Sequence, residues 1–171
     1  MWEYRGQKRP PFAEKSNPGQ ESVWDYPRPP AIVADERRVE VRSGDLVIAD
    51  SRRNYRILET ASPPTFYISP SNVLTQLLEL RPETSVCEWK GVACYWAQKN
   101  TPALTRAIGW SYPRPNLPFA AISGYFSFYP AWVECFVDGE PVRPQPGEFY
   151  GGWVTSEIVG PFKGDPGSQH W

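Results

Sequence analysis

Twenty prolines in 171 residues limit what this chain can fold into more than any other feature. Each proline fixes φ and removes a backbone donor, so long helices and uninterrupted central strands are ruled out. Regular elements should be short and turns many. The eight tryptophans demand an interior, because an indole buries its body while its N–H seeks a partner. The two demands together predict a mainly β fold built around aromatic clusters. A chain of this length makes one domain most simply, and it can bury a core without a disulfide or metal to hold it.

The prolines also divide the chain. Residues 1–34 read as a proline-rich N-terminal arm: Pro10-Pro11, Asn17-Pro18-Gly19 and Pro27-Arg28-Pro29-Pro30 forbid long elements. Trp24-Asp25-Tyr26 could dock this arm through its rings. The β domain is expected over 35–143. Val39 and Val41 alternate with Glu40 and Arg42, the period-two signal of a half-buried strand. Ser43-Gly44-Asp45 turns the chain into Leu46-Val47-Ile48-Ala49. Tyr55–Thr60 and Thr65–Ile68 follow as strands on either side of Pro63-Pro64. One helix is expected from Ser69, with Pro70 at its first position. It would carry an apolar stripe of Val73, Leu74, Leu77, Leu78 and Leu80 and end at Pro82. After the break at Asn100-Thr101-Pro102, Ile108–Tyr112 resumes the β pattern. Ile122–Tyr129 reads as a strand with Tyr125, Ser127 and Tyr129 on one face and Phe126 and Phe128 on the other. Trp132–Val137 leads to the strong hairpin turn signal Asp138-Gly139. Residues 144–171 alternate rings with glycine and proline, as expected of an irregular tail packed on the domain.

Several function classes lack their sequence requirements. Eighteen basic against nineteen acidic residues leave a formal charge of −1, so general attraction to nucleic acid or anionic membrane is unsupported. Three cysteines are too few for a disulfide scaffold. No apolar run approaches the ~20 residues of a membrane span, and Met1–Gly6 lacks the apolar core of a signal peptide. A soluble, cytoplasmic setting is expected. With one histidine, His170, and no Cys-x-x-Cys pair, structural zinc has no ligand set and a Ser-His-Asp triad has no base. Gly151-Gly152 and Gly164 do not stand between a strand and a helix, as a phosphate loop would require. Asp50 and Glu59 could serve phosphoryl transfer only if the fold brought them together. No cofactor is expected.

The densest chemistry lies in Ser85–Trp96, which holds two thiols, a lysine, a carboxylate and three large rings. A two-residue turn at Lys90-Gly91 would set Trp89 opposite Val92, Glu88 opposite Ala93 and Cys87 opposite Cys94, with Cβ atoms roughly 4.5–5.5 Å apart. Two readings of Cys87 stand side by side. It could be a nucleophile whose thiolate the Lys90 ammonium favours, or a small buried apolar residue.

The order of motifs carries a family resemblance. It runs through Ile48-Ala49-Asp50-Ser51, Leu58-Glu59, Pro63-Pro64-Thr65-Phe66-Tyr67 and Pro70-x-x-Val73. It continues through Thr84-x-x-Cys87-x-x-Lys90-Gly91-x-x-x-Tyr95-Trp96, Trp110-Ser111-Tyr112 and Gly124-Tyr125-x-x-Phe128-Tyr129. The series, from about Val39 to Val137, resembles the bacterial domain of unknown function 427, sometimes labelled nucleotidyltransferase-like. The proline-rich front and the Gly/Pro/aromatic tail look like its longer, cyanobacterial-type members. The resemblance implies a β-tent fold, similar to methionine sulfoxide reductase B and the thalidomide-binding domain of cereblon. Many of those proteins bind zinc through cysteine knuckles, whereas Cys87-Glu88-Trp89-Lys90 places a lysine where a knuckle has its second thiol. The carboxylate and glycine motifs of nucleotidyl transfer are not found. The reading reached is a small-ligand binding module with Arg52, Glu59, Tyr67, Cys87, Lys90 and Tyr129 at its pocket. Arg52 would be the anion partner. An enzyme using Cys87 and Lys90 is one alternative, and an assembly module using the aromatic arms is another. The expected partner is a small molecule, not nucleic acid or membrane, and the arms offer a route to homo-oligomers.

Overall fold

The computed structural model describes residues 2–101 and 106–171; Met1 and Pro102 lie outside them. The N-terminal stretch crosses β1 (Glu21–Ser22) and a 3-10 turn at Val23–Asp25 before β2 (Ala31–Asp35). Two hairpin strands follow, β3 (Val39–Ser43) and β4 (Leu46–Ser51), joined through Gly44 at φ 59°. Next come β5 (Asn54–Leu58) and β6 (Thr65–Ile68), with Pro63-Pro64 between them. Then β7 (Leu78–Cys87) and β8 (Gly91–Gln98) form the longest hairpin, followed by β9 (Gly109–Ser111) and β10 (Phe126–Phe128). A pair of short strands, β11 (Glu134–Val137) and β12 (Glu140–Pro141), turns at Asp138-Gly139. Both turn residues sit at positive φ, 46° and 81°, the backbone a tight two-residue hairpin needs. The C-terminal part holds β13 (Arg143–Pro144), β14 (Trp153–Val154) and β15 (Ile158–Val159).

Two antiparallel sheets make the body of the molecule, and the fold is mainly β as expected. One has seven strands in the order β2-β5-β6-β10-β9-β8-β7, the other four in the order β12-β11-β3-β4. The main core lies between them. Val39 and Val41 of β3, Ile48 of β4 and Cys135 and Val137 of β11 meet Phe66 and Ile68 of β6 and Phe126 and Phe128 of β10. Trp153 joins this core: it is fully buried, stacks on Phe66 at 4.9 Å, and donates its indole N–H to the Phe128 carbonyl at 2.9 Å. Successive strand residues point to opposite faces. The far face of the seven-stranded sheet therefore carries a second cluster, in which Ile57, Tyr67, Trp110 and Tyr112 pack with Tyr95 and Tyr129.

The two ends of the chain pack on each other beside the large sheet. Glu21 and Ser22 pair in parallel with Ile158 and Val159. Trp24, fully buried, meets Tyr4, Phe12 and Trp171 edge-on at 5.2–5.3 Å. Ala31–Asp35 enters the large sheet as an edge strand along β5.

Three expectations change. The helix expected from Ser69 to Leu80 is two single 3-10 turns, Pro70–Asn72 and Thr75–Leu77, and Leu78 and Leu80 lie in β7. The apolar spacing suits a helix, but pairing with the eight residues of β8 draws Leu78 and its neighbours into the sheet. Pro82 does not stop the strand, because β7 is an edge strand where a missing donor is tolerated. The strand expected over Ile122–Tyr129 is only Phe126–Phe128, preceded by 3-10 turns at Leu117–Ile122, although its two faces are as read. The central hairpin also has a different register, with Cys87 opposite Gly91, Ser85 opposite Ala93 and Thr84 opposite Cys94. Its loop is the three residues Glu88-Trp89-Lys90 rather than Lys90-Gly91. The shift is three residues, an odd number, so it moves Cys94 to the other face of the sheet. Cys87, Cys94 and Cys135 are all free thiols.

Candidate functional site

The far face of the large sheet opens into a cavity of about 420 Å³. Strand alternation supplies its floor. Tyr67 comes from β6, Tyr95 from β8 and Trp110 from β9, and Tyr95 and Trp110 are direct cross-strand partners. The Trp110 indole N–H donates to the Tyr67 hydroxyl at 3.1 Å, and the Ser85 and Tyr95 hydroxyls share a 2.7 Å hydrogen bond. Tyr129 packs on Trp110 with ring centroids 4.6 Å apart. Gly151 makes room for this pair, since a Cβ there would collide with the Trp110 ring and press on Tyr129 at 3.3 Å.

The β7–β8 hairpin forms one wall and sends Cys87, Glu88, Trp89 and Lys90 to the cavity. Its loop is held from outside. Asn116 donates its backbone N–H to the Lys90 carbonyl and its side-chain amide to the Trp89 carbonyl, both at 2.9 Å. Gly91 takes φ 100° where the loop re-enters the sheet, a conformation that glycine adopts without strain. The Lys90 ammonium lies 5.7 Å from the centre of the Tyr112 ring.

The two ends of the chain build the rim. Arg28 is buried, and each of its three guanidinium nitrogens makes a hydrogen bond. Its Nε reaches Glu59 at 3.2 Å, while Nη1 and Nη2 donate to the Tyr4 and Thr60 carbonyls at 3.0 and 2.9 Å. Trp2 lies under both Arg28 and Lys163, each cation 4.2 Å from its ring centroid, and donates its indole N–H to Glu88 at 3.2 Å. Gln145 holds the Lys163 segment in place. It donates to the Lys163 carbonyl at 2.6 Å and accepts from the Gly152 N–H at 3.1 Å.

The charges around the cavity follow from these neighbours. Burial works against the Lys90 ammonium, but its neighbours Tyr67, Cys87 and Glu59 outweigh it and hold its pKa above the usual lysine value. Burial pushes the Tyr67 phenol up and the Tyr112 and Tyr129 phenols well up. Burial, followed by repulsion from Arg28, lowers the Lys163 pKa. At neutral pH the cavity therefore presents protonated phenols around a charged Lys90. Such a site can donate hydrogen bonds, stack rings and hold an anion.

Of the residues expected at the site, Glu59, Tyr67, Cys87, Lys90 and Tyr129 all line this cavity. Arg52 does not: it is exposed in the β4–β5 connection, with Nη1 3.4 Å from the Glu36 carbonyl. Asp50 is also elsewhere, paired with Arg38 at 2.7 Å. Sequence reasoning missed Trp2, Arg28, Gln145 and Lys163. Nothing local marks them; a lone cation between prolines looks the same whether it faces solvent or a cavity wall.

Residues 31–139 match the model of a family described as a domain of unknown function (DUF427). The chain belongs to this family. The matched segment contains the cavity floor and the Cys87–Lys90 wall, while the rim residues Trp2, Arg28, Gln145 and Lys163 lie outside it. No curated protein matches the chain. Among the described residues no group of three or more His, Cys, Asp or Glu is placed to hold a metal ion, and no helix is long and apolar enough to cross a membrane.

Proposed function

We propose that this protein is a small-ligand binding module whose pocket is the cavity between the Cys87–Lys90 hairpin and the Trp110–Tyr129 pair. The observation that carries this reading is the cavity itself. About 420 Å³ of space bounded by rings and a few convergent polar groups falls in the range of small-molecule sites. The DUF427 family is shown without an activity, so the support comes from the geometry and not from the family.

A thermal-shift screen of nucleotides, bases, small amides and aromatic acids against the full chain tests the proposal. A ligand at a hundred times its Kd stabilises by about 2.7 kcal/mol, which for a chain of this size raises Tm by roughly 5–10 °C. If no member of the four classes moves Tm, the binding-module reading fails.

A further inference from the structure

The charges lining the cavity are not equally committed, and the imbalance points to the class of ligand. Three cations and two carboxylates line it: Arg28, Lys90 and Lys163 with Glu59 and Glu88. Arg28 neutralises Glu59 across 3.2 Å. Glu88 accepts from Trp2. Lys163 donates to the Trp171 carbonyl at 3.2 Å and lies over Trp2. Lys90 stands apart. Among the described residues its ammonium forms no ion pair with a carboxylate and no hydrogen bond to an oxygen; its surroundings are ring faces and the Cys87 thiol. Glu59 acts on this ammonium from beyond ion-pair distance and is itself paired with Arg28, so a ligand that brings an anion into contact adds a charge-assisted hydrogen bond that none of the described residues supplies. On the same loop the Trp89 indole N–H is buried without an acceptor, a second donor with nothing to bond.

We propose that the cavity takes a flat aromatic carboxylate, with its ring against the Trp110 and Tyr112 side and its carboxylate at Lys90. The inference rests on the binding-module reading and assigns that module its ligand class. A neutral ligand would leave Lys90 unpaired. A cation would meet Lys90 with Glu59 already neutralised by Arg28. A phosphate group favours an arginine fork or a nest of backbone N–H groups, and here the one guanidinium has its Nε, Nη1 and Nη2 committed. One free ammonium between aromatic walls suits a single delocalised negative charge on a planar body.

The test is calorimetric titration of the full chain with naphthalene carboxylate and with its carboxamide. The pair has nearly the same shape and differs by one charge. Wild type should bind the acid about tenfold or more tighter than the amide, the usual advantage of a hydrogen bond to a charged partner. Lys90→Gln should bring the two affinities together, and Lys90→Arg, which keeps the charge, should preserve the preference. Should Lys90→Gln not fold, the acid-to-amide ratio on wild type and Lys90→Arg decides. Saturable binding of the amide as tight as the acid, or an acid preference that survives in Lys90→Gln, would overturn the inference and leave the binding module standing. Failure of both probes at millimolar concentration overturns it too; if the thermal-shift screen is also blank, the binding module falls with it.

Discussion

Replacing Trp24 with alanine measures how firmly the N-terminal stretch is part of this fold. Trp24 is 0% exposed and is ringed by Tyr4, Phe12 and Trp171. A tryptophan buries about 150–250 Å², and at about 25 cal/mol per Å² its removal forfeits roughly 4–6 kcal/mol as an upper bound. One term acts in the other direction. The Trp24 indole N–H is buried without an acceptor, so deleting it relieves about 1–3 kcal/mol. The net loss is about 3 kcal/mol, and Tm should fall by roughly 6–12 °C. Trp24→Phe keeps most of the ring and removes the unpartnered donor, so its loss should be about 1 kcal/mol or less. Calorimetric melts of the three proteins check the series. A Trp24→Ala Tm within about 2 °C of wild type would refute the packing argument and make the stretch a passive tail. Arg28 and Trp2 reach the cavity from this same stretch, so Trp24→Ala should also reduce any ligand-induced rise in Tm.

Asp35 tests the acid limb of stability. Burial pushes its carboxyl up, but the Arg37 guanidinium, at 2.6 Å, more than offsets this and holds it below the usual carboxylate range. A depressed folded-state pKa contributes stability that is present above about pH 4 and is lost as pH falls through the folded value. Asp35→Asn should therefore cost about 3 kcal/mol at pH 7, and the gap to wild type should narrow at pH 3; an equal gap in urea unfolding at both pH values sinks the argument. Thiol labelling offers a separate check on the cavity. Cys135 is buried, and burial pushes its thiol well up, so iodoacetamide at pH 8 should modify Cys87 and leave Cys135 intact, as read by peptide mass spectrometry. Modification of Cys135 before Cys87 would contradict the cavity geometry. Cys87 labelling no faster than a free thiol would count against a nucleophilic role.

Local signals carried a large part of the fold. The alternation at Val39–Arg42, the glycine turn after Ser43 and the Asp138-Gly139 hairpin each depend on a few neighbouring residues, and each stands where the sequence places it. Five of the six residues nominated for the site share one cavity because most sit on strands or strand ends whose side-chain period is two. What needed the tertiary structure was every choice between locally equivalent alternatives. The leucines from Leu74 to Leu80 fit a helix as well as a strand, and β8, lying beyond a turn, decides between them. Lys90-Gly91 and Glu88-Trp89-Lys90 are both acceptable reversals. The longer loop is held by Asn116, a residue 26 positions from Lys90 (116 − 90), and with it goes the face on which Cys94 lies. Arg28 and Lys163 come to one rim from opposite ends of the chain. Periodicity is a property of neighbours, so the sequence alone determined strand faces and tight turns. Register, the fate of the apolar stripe and the charge balance of the cavity depend on partners far away in the chain, and only the assembled sheets bring those partners together.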